Sequence, residues 1–178
     1  MARTVWMRIA LVAIMALMLI LAACSSGSPS AAGSSGTSDG ASSTDKQRIK
    51  ATWITPEKLG DSIALSASTI QDKRIVHFWV EITEGKMPFM AYKLDGKMYV
   101  RANLCVPCRS YNYSLEKGIL VCDTCGTRFD AKSGDGISGA CKAYPKALVP
   151  WTDNNGKLVI KNDDAKTAYL NTLEPGWP

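Results

Sequence analysis

The chain of 178 residues has one histidine, His77, and no nucleophile placed with it in a way that suggests covalent catalysis. Its aspartates and glutamates are scattered, without the pairing that hydrolytic acid–base chemistry uses. No glycine-rich loop of the kind that cradles phosphates is present. No apolar stretch reaches the roughly 20 residues that a membrane-spanning helix needs. The net charge is only +5, and the length allows one modest domain. What the chain does have is an N-terminal leader pattern and six cysteines.

Arg3 and Arg8 make the start positive, and Ile9 to Ala23 then runs for fifteen residues without a charge or a proline. That length suits the hydrophobic core of a signal peptide. It ends in Leu21-Ala22-Ala23-Cys24, followed by Ser25-Ser26-Gly27. A cysteine directly behind small residues is what lipoprotein processing requires. The thiol is alkylated with diacylglycerol, and cleavage then leaves Cys24 as the new N-terminus. Residues 1–23 are expected to be lost, and with Arg3 and Arg8 gone the charge falls to about +3. So small a charge does not point to nucleic acid. The expected partner is a membrane, reached through the lipid on Cys24, with the domain on the extracytoplasmic side. Disulfides are permitted there. From Ser25 to about Thr44 the chain is nearly all Ser, Gly, Ala and Thr, which cannot bury enough apolar surface to fold. Residues 24–45 therefore read as a lipidated cysteine and tether, and residues 46–178 as the folded domain.

Within that domain, Ala51 to Pro56 reads as an entry strand or turn, and Ile63 to Ile70 as a short strand. Lys73 to Ile82 is the clearest strand, with Val76, Phe78, Val80 and Ile82 on one face. Glu84-Gly85-Lys86 turns the chain into a partner strand, Phe89 to Leu94. Asp95-Gly96 is a hairpin turn before a strand from Met98 to Ala102. The tail offers a strand at Lys157–Ile160 and a short helix around Asp164–Leu173. The fold class is mainly β, a small α+β domain: a β meander followed by a loop-rich cysteine region.

The mature domain keeps five cysteines: Cys105-Val106-Pro107-Cys108, thirteen residues, Cys122-Asp123-Thr124-Cys125-Gly126, then Cys141. Two residues between cysteines let both sulfurs of a pair point at one ion, and two such knuckles supply four thiolates. Pro107 stiffens the first knuckle, and Gly126 permits an unusual backbone angle at the second. The metal ligands expected are Cys105, Cys108, Cys122 and Cys125. Cys141 is a fifth participant, replacing a ligand or acting as a redox partner. Four thiolates suit zinc, mononuclear iron or an iron–sulfur cluster. A zinc ribbon and a pair of disulfides are the plainer alternatives, and either leaves one thiol unexplained.

The stretch from His77 to Leu148 resembles the FtrD-like family of membrane iron–sulfur containing proteins. The resemblance lies in the β-rich run with a charged-Gly turn, then the pairs Cys105/Cys108 and Cys122/Cys125. Gly126, Arg128 and Phe129 follow the second pair, and a late Gly139-Ala140-Cys141 segment precedes Pro145. The family usually has two glycines before that last cysteine; here Ala140 stands between Gly139 and Cys141. The resemblance implies an iron–sulfur cluster or related redox site, serving a membrane iron permease or another redox partner. Cys122 to Asp130, with Gly134 and Leu148-Val149-Pro150-Trp151, is also similar to the second cluster loop of Rieske proteins, which makes the fold remotely Rieske-like. Histidines take the second position of each pair there, and Cys108 and Cys125 stand in those positions here. Folded export generally needs adjacent arginines, which Arg3 and Arg8 are not, so a metal captured after export stays open.

His77 shares a strand face with Ile75 and Trp79, the usual setting of a satisfied structural histidine. Together with Met87, Met90 and Met98 it is also a candidate copper(I) site. Tyr111, Tyr113 and Tyr144 flank the knuckles and are expected to shield the centre from water. The favoured reading is electron transfer, not enzymatic turnover. A zinc-stabilised module that binds a metal or partner, and a thiol–disulfide exchange protein, are the alternatives.

Overall fold

The computed structural model describes residues 47–83 and 85–176. The expected leader, Cys24 and the whole tether to residue 45 lie outside the described residues, as does Glu84 of the expected turn.

The chain opens with short strands β1 (Ile49–Lys50), β2 (Thr52–Trp53) and β3 (Glu57–Leu59), then β4 (Ser62–Ser66) and helix α1 (Ala67–Lys73). The long hairpin strands β5 (Ile75–Ile82), β6 (Gly85–Leu94) and β7 (Lys97–Ala102) follow. The cysteine region carries β8 (Tyr113–Glu116), β9 (Ile119–Cys122), β10 (Arg128–Asp130) and β11 (Gly136–Ser138). The tail adds β12 (Thr152–Asn154), β13 (Lys157–Lys161) and α2 (Asn162–Leu173). The domain is mainly β with two helices, arranged as three sheets in the orders β2-β5-β6-β7, β12-β13-β4-β3 and β1-β8-β9-β10-β11.

The sheet β2-β5-β6-β7 is covered on both faces. Val76, Phe78, Val80, Met87, Phe89, Val100 and Ala102 point into one core, shared with Ile63, Leu65, Leu158, Ile160 and Ala165. Ile75, Met90 and Tyr92 point the other way, into a second core with Tyr113, Leu120, Phe129 and three of the cysteines. Double burial explains why β5 reads Ile-Val-His-Phe-Trp-Val, an almost unbroken apolar run, instead of an alternation.

Local chemistry sets the connections. Ser66 ends β4 and caps α1, its hydroxyl accepting the Thr69 N–H at 3.4 Å. The expected strand through Ile70 therefore stops four residues early and becomes a helix. Asp95-Gly96 forms the expected hairpin turn with positive φ at both residues (50° and 78°). Lys117-Gly118 and Asn155-Gly156 turn in the same way between β8 and β9 and between β12 and β13. No helix among the described residues is long and apolar enough to cross a membrane.

Candidate metal centre

Each knuckle is closed by its own backbone. In the first, the Cys105 N–H donates to the Ser110 carbonyl at 2.8 Å. In the second, the Cys122 N–H donates to the Thr127 carbonyl and the Gly126 N–H to the Cys122 carbonyl, both at 2.9 Å. The residue after the second cysteine takes positive φ in both: Gly126 at 71°, as expected, and Arg109 at 56°. The Thr124 hydroxyl donates to the Ser110 hydroxyl at 2.8 Å and links the two knuckles. β8 and β9 hold them at a common end, since Tyr113 pairs with Cys122 across the ladder.

The third segment is the loop after β11. Gly139 has φ of 105°, and a Cβ there would lie 2.6 Å from the Thr127 hydroxyl. That close approach brings the Cys141 N–H onto the same hydroxyl at 3.2 Å. Farther along, buried Arg101 of β7 donates to the Tyr92 hydroxyl (2.9 Å), the Lys146 carbonyl (2.6 Å) and the Lys132 carbonyl (2.5 Å). The loop from Ala131 to Lys146 is thereby fastened to the β5–β6–β7 sheet.

All five cysteines converge. Sγ separations are 3.8 Å for Cys105–Cys125, 3.7 Å for Cys108–Cys122 and 3.7 Å for Cys125–Cys141. The sulfurs of Cys105, Cys108, Cys125 and Cys141 all lie within 4.8 Å of one another. Cys122 adjoins this quartet through Cys108. Sequence reasoning placed Cys141 at the margin of the site; packing places it inside. Sulfurs bound to one ion at roughly 2.3 Å sit about 3.8 Å apart at the corners of a tetrahedron.

The thiols are unequal. Cys122 is pulled down to about 4, first by the hydrogen bond from the Cys105 thiol and then by the N–H groups of Cys125 and Thr124, against the effect of burial. Cys105, as the donor and as a buried thiol, is pushed far up. Burial raises Cys108 to about 11. Burial also works against ionisation of Cys141, but hydrogen bonds with Cys105, Cys125, the Thr127 hydroxyl and the Cys108 N–H outweigh it and lower its pKa.

The surroundings are dry on one side and open on the other. Tyr113 is fully buried, packed edge-on against Phe129 with ring centroids 6.0 Å apart. Its hydroxyl has no regular hydrogen-bond partner, lies beside the Cys105 thiol and favours the ionised form of that thiol. Lys146 is 1% exposed. Burial lowers its pKa to about 8, with the thiols of Cys105, Cys122, Cys141 and Cys108 opposing. Cys125 and the knuckle tips face solvent. Of the other expected shields, Tyr111 is exposed and packs on Trp79 at 5.2 Å, while Tyr144 is half-buried in the Cys141 loop.

His77 does not join the thiols. It is buried, both ring nitrogens lack hydrogen-bond partners, and it packs edge-on against Trp53 at 5.1 Å. The expectation of a satisfied structural histidine is corrected on that point. Met90 stands opposite His77 in the ladder, whereas Met87 and Met98 belong to the core on the other face of the sheet. The strand alternation separates the copper candidates. Thr127, Arg101 and Lys146 were not singled out from the sequence. Thr127, next to a knuckle glycine, was within reach; a lysine and an arginine give no sign of burial.

An iron–sulfur group fits these residues by donor chemistry: an all-thiolate set, an orphaned buried hydroxyl at one sulfur, and a buried cation beside the others. Among solved structures, the chain is similar to one in a complex of reduced oxygenase and oxidised ferredoxin in carbazole 1,9a-dioxygenase. The identity is 18% and the TM-score 0.46, covering 56% of this chain and 93% of that one. It is also similar to a Sphingomonas yanoikuyae B1 ferredoxin, at 19% identity and a TM-score of 0.40, covering 65% and 97% of the two chains. No curated protein matches. Residues 70–170, which carry all five converging cysteines, match the family model described as membrane iron-sulfur containing protein FtrD-like, and the chain belongs to that family.

Proposed function

We propose that this protein is a lipid-anchored electron carrier whose centre is iron held by the cysteine thiolates, and that it serves a membrane iron permease or an allied redox system. The observation that carries the reading is the convergence of five free thiols from three chain segments, 3.7–3.8 Å apart along the links between them. Those separations are far above the ~2.05 Å of a disulfide bond, so these thiols are unbridged and free to ligate. When bound, the iron centre supplies reversible one-electron uptake.

The chain's own residues supply the setting. Cys105, Cys108, Cys122, Cys125 and Cys141 offer thiolates, and the hydrogen bonds at Cys122 favour its ionised form. Tyr113 and Phe129 keep water from the inner side. The exposed edge at Cys125 gives a redox partner a close approach. Residues 1–23 as leader, Cys24 as the lipid site and the tether to residue 45 support membrane attachment with extracytoplasmic exposure. The iron-uptake setting rests on the family resemblance.

A second reading is a single iron ion instead of a cluster, favoured by the quartet lying within 4.8 Å. Iron and acid-labile sulfide analysis of anaerobically purified protein, with visible spectra before and after dithionite, separates the two. Sulfide equal to iron with a bleached band supports a cluster; iron without sulfide supports the single ion. Colourless protein with zinc sinks the electron carrier and leaves a zinc-stabilised binding module.

A further inference from the structure

Lys146 follows the Cys141 loop and is among the largest fully buried side chains. Its ammonium donates to the carbonyl of Leu104, the residue before Cys105, at 2.8 Å. It lies 4.5 Å from the centroid of the Phe129 ring and 5.9 Å from that of Tyr113, with the ring faces toward it. Its backbone is clamped on both sides: the N–H donates to the Gly134 carbonyl at 2.8 Å, and the carbonyl accepts from Arg101 at 2.6 Å. No carboxylate forms an ion pair with it among the described residues.

Removing an ammonium from water costs several kcal/mol, and such groups stay buried only near opposite charge. A carbonyl and two ring faces soften the cost without cancelling the charge. The carbonyl that Lys146 holds is one residue from Cys105, and the two rings beneath its ammonium belong to the same buried cluster as Cys105, Cys122 and Cys141. The side chain therefore places a cation in the buried cluster that holds three of the thiols, whereas Cys125 is exposed. An iron–thiolate centre is anionic and becomes more so when reduced. In a medium of low dielectric a nearby cation favours the reduced form.

We propose that Lys146 tunes the reduction potential of the cysteine-bound centre, its ammonium charge raising that potential without touching the metal. The inference rests on the electron-carrier reading above. The step involved is uptake of one electron from a one-electron donor; no bond forms or breaks, and the ammonium keeps its protons.

The test is a spectroelectrochemical titration of the full chain in detergent, as wild type, Lys146→Gln and Lys146→Arg. Gln keeps a donor for the Leu104 carbonyl and removes the charge; Arg keeps the charge. We expect Lys146→Gln to lower the reduction equilibrium on the order of tenfold, about 59 mV for a one-electron couple, with Lys146→Arg close to wild type. Loss of iron in Lys146→Gln with retention in Lys146→Arg overturns the proposal, because the charge then holds the centre in place instead of tuning it. Equal midpoints for the two variants, or equal loss of iron, overturn it. Wild-type protein without iron sinks the electron-carrier reading itself, whereas iron with an unshifted midpoint sinks only the role of Lys146.

Discussion

The Cys141 N–H donates to the Thr127 hydroxyl at 3.2 Å, and the Cys125 thiol donates to the same oxygen at 3.2 Å. One fully buried hydroxyl thus joins the second knuckle to the loop that brings in the fifth cysteine. Thr127→Val keeps the shape and removes the acceptor. A buried N–H left without a partner costs about 1–3 kcal/mol. Thermal melting should show a lower midpoint for Thr127→Val, with faster loss of metal to a chelator. Unchanged melting and metal retention would mean that the loop is held by packing at Gly139 alone.

Cys141 stands inside the sulfur cluster, 3.7 Å from Cys125. We expect Cys141→Ser to lose bound iron at least tenfold faster than wild type under the same chelator, and to alter the visible band. Iron content and spectrum like wild type would remove Cys141 from the ligand set. The two Cys-x-x-Cys pairs would then suffice.

How far the sequence shows this arrangement depends on the range of the interactions. The pairs Cys105/Cys108 and Cys122/Cys125 are legible because a knuckle is a local turn. The hairpin at Asp95-Gly96 is legible for the same reason. Asn155-Gly156 carries an equally local signal, and the β12–β13 hairpin follows from it, although only β13 was read. The strands β8 to β11 are short and lie between cysteines, so they read as loop. Convergence of Cys141 depends on Gly139 meeting Thr127 and on Arg101 clamping Lys132 and Lys146, contacts between distant residues that leave no periodicity. The buried Lys146 is hidden further, since Pro145-Lys146-Ala147 looks like any solvated turn.

His77 gives a pH dependence. Burial lowers its pKa from 6.5 to about 4, with the Asp123 charge opposing. Above pH 6.5 the ring is neutral in both folded and unfolded chains. As pH falls toward 4 the unfolded chain takes up a proton that the native ring refuses, so stability declines through that window. The full effect is about 3 kcal/mol. Denaturant unfolding at several pH values should show this slope in wild type and a flatter curve in His77→Phe. Parallel curves for the two proteins would show that the ring is protonated as easily in the fold as outside it.

Tyr113 supplies the last prediction. Its buried hydroxyl lies beside Cys105 and stabilises the thiolate there. Burial is also what pushes the tyrosine's own pKa well up, with the cysteine charges adding to it, so the hydroxyl keeps its proton and remains a donor. Donors to ligand sulfurs draw charge from the metal and favour its reduced form. Tyr113→Phe removes the oxygen and preserves the contact with Phe129. We expect a protein that folds and binds iron as wild type does, with a midpoint potential shifted downward. Its shift and that of Lys146→Gln need not add, because both groups act on Cys105. An unshifted midpoint with an unchanged spectrum would mean that the hydroxyl is merely buried there and does not polarise the sulfur.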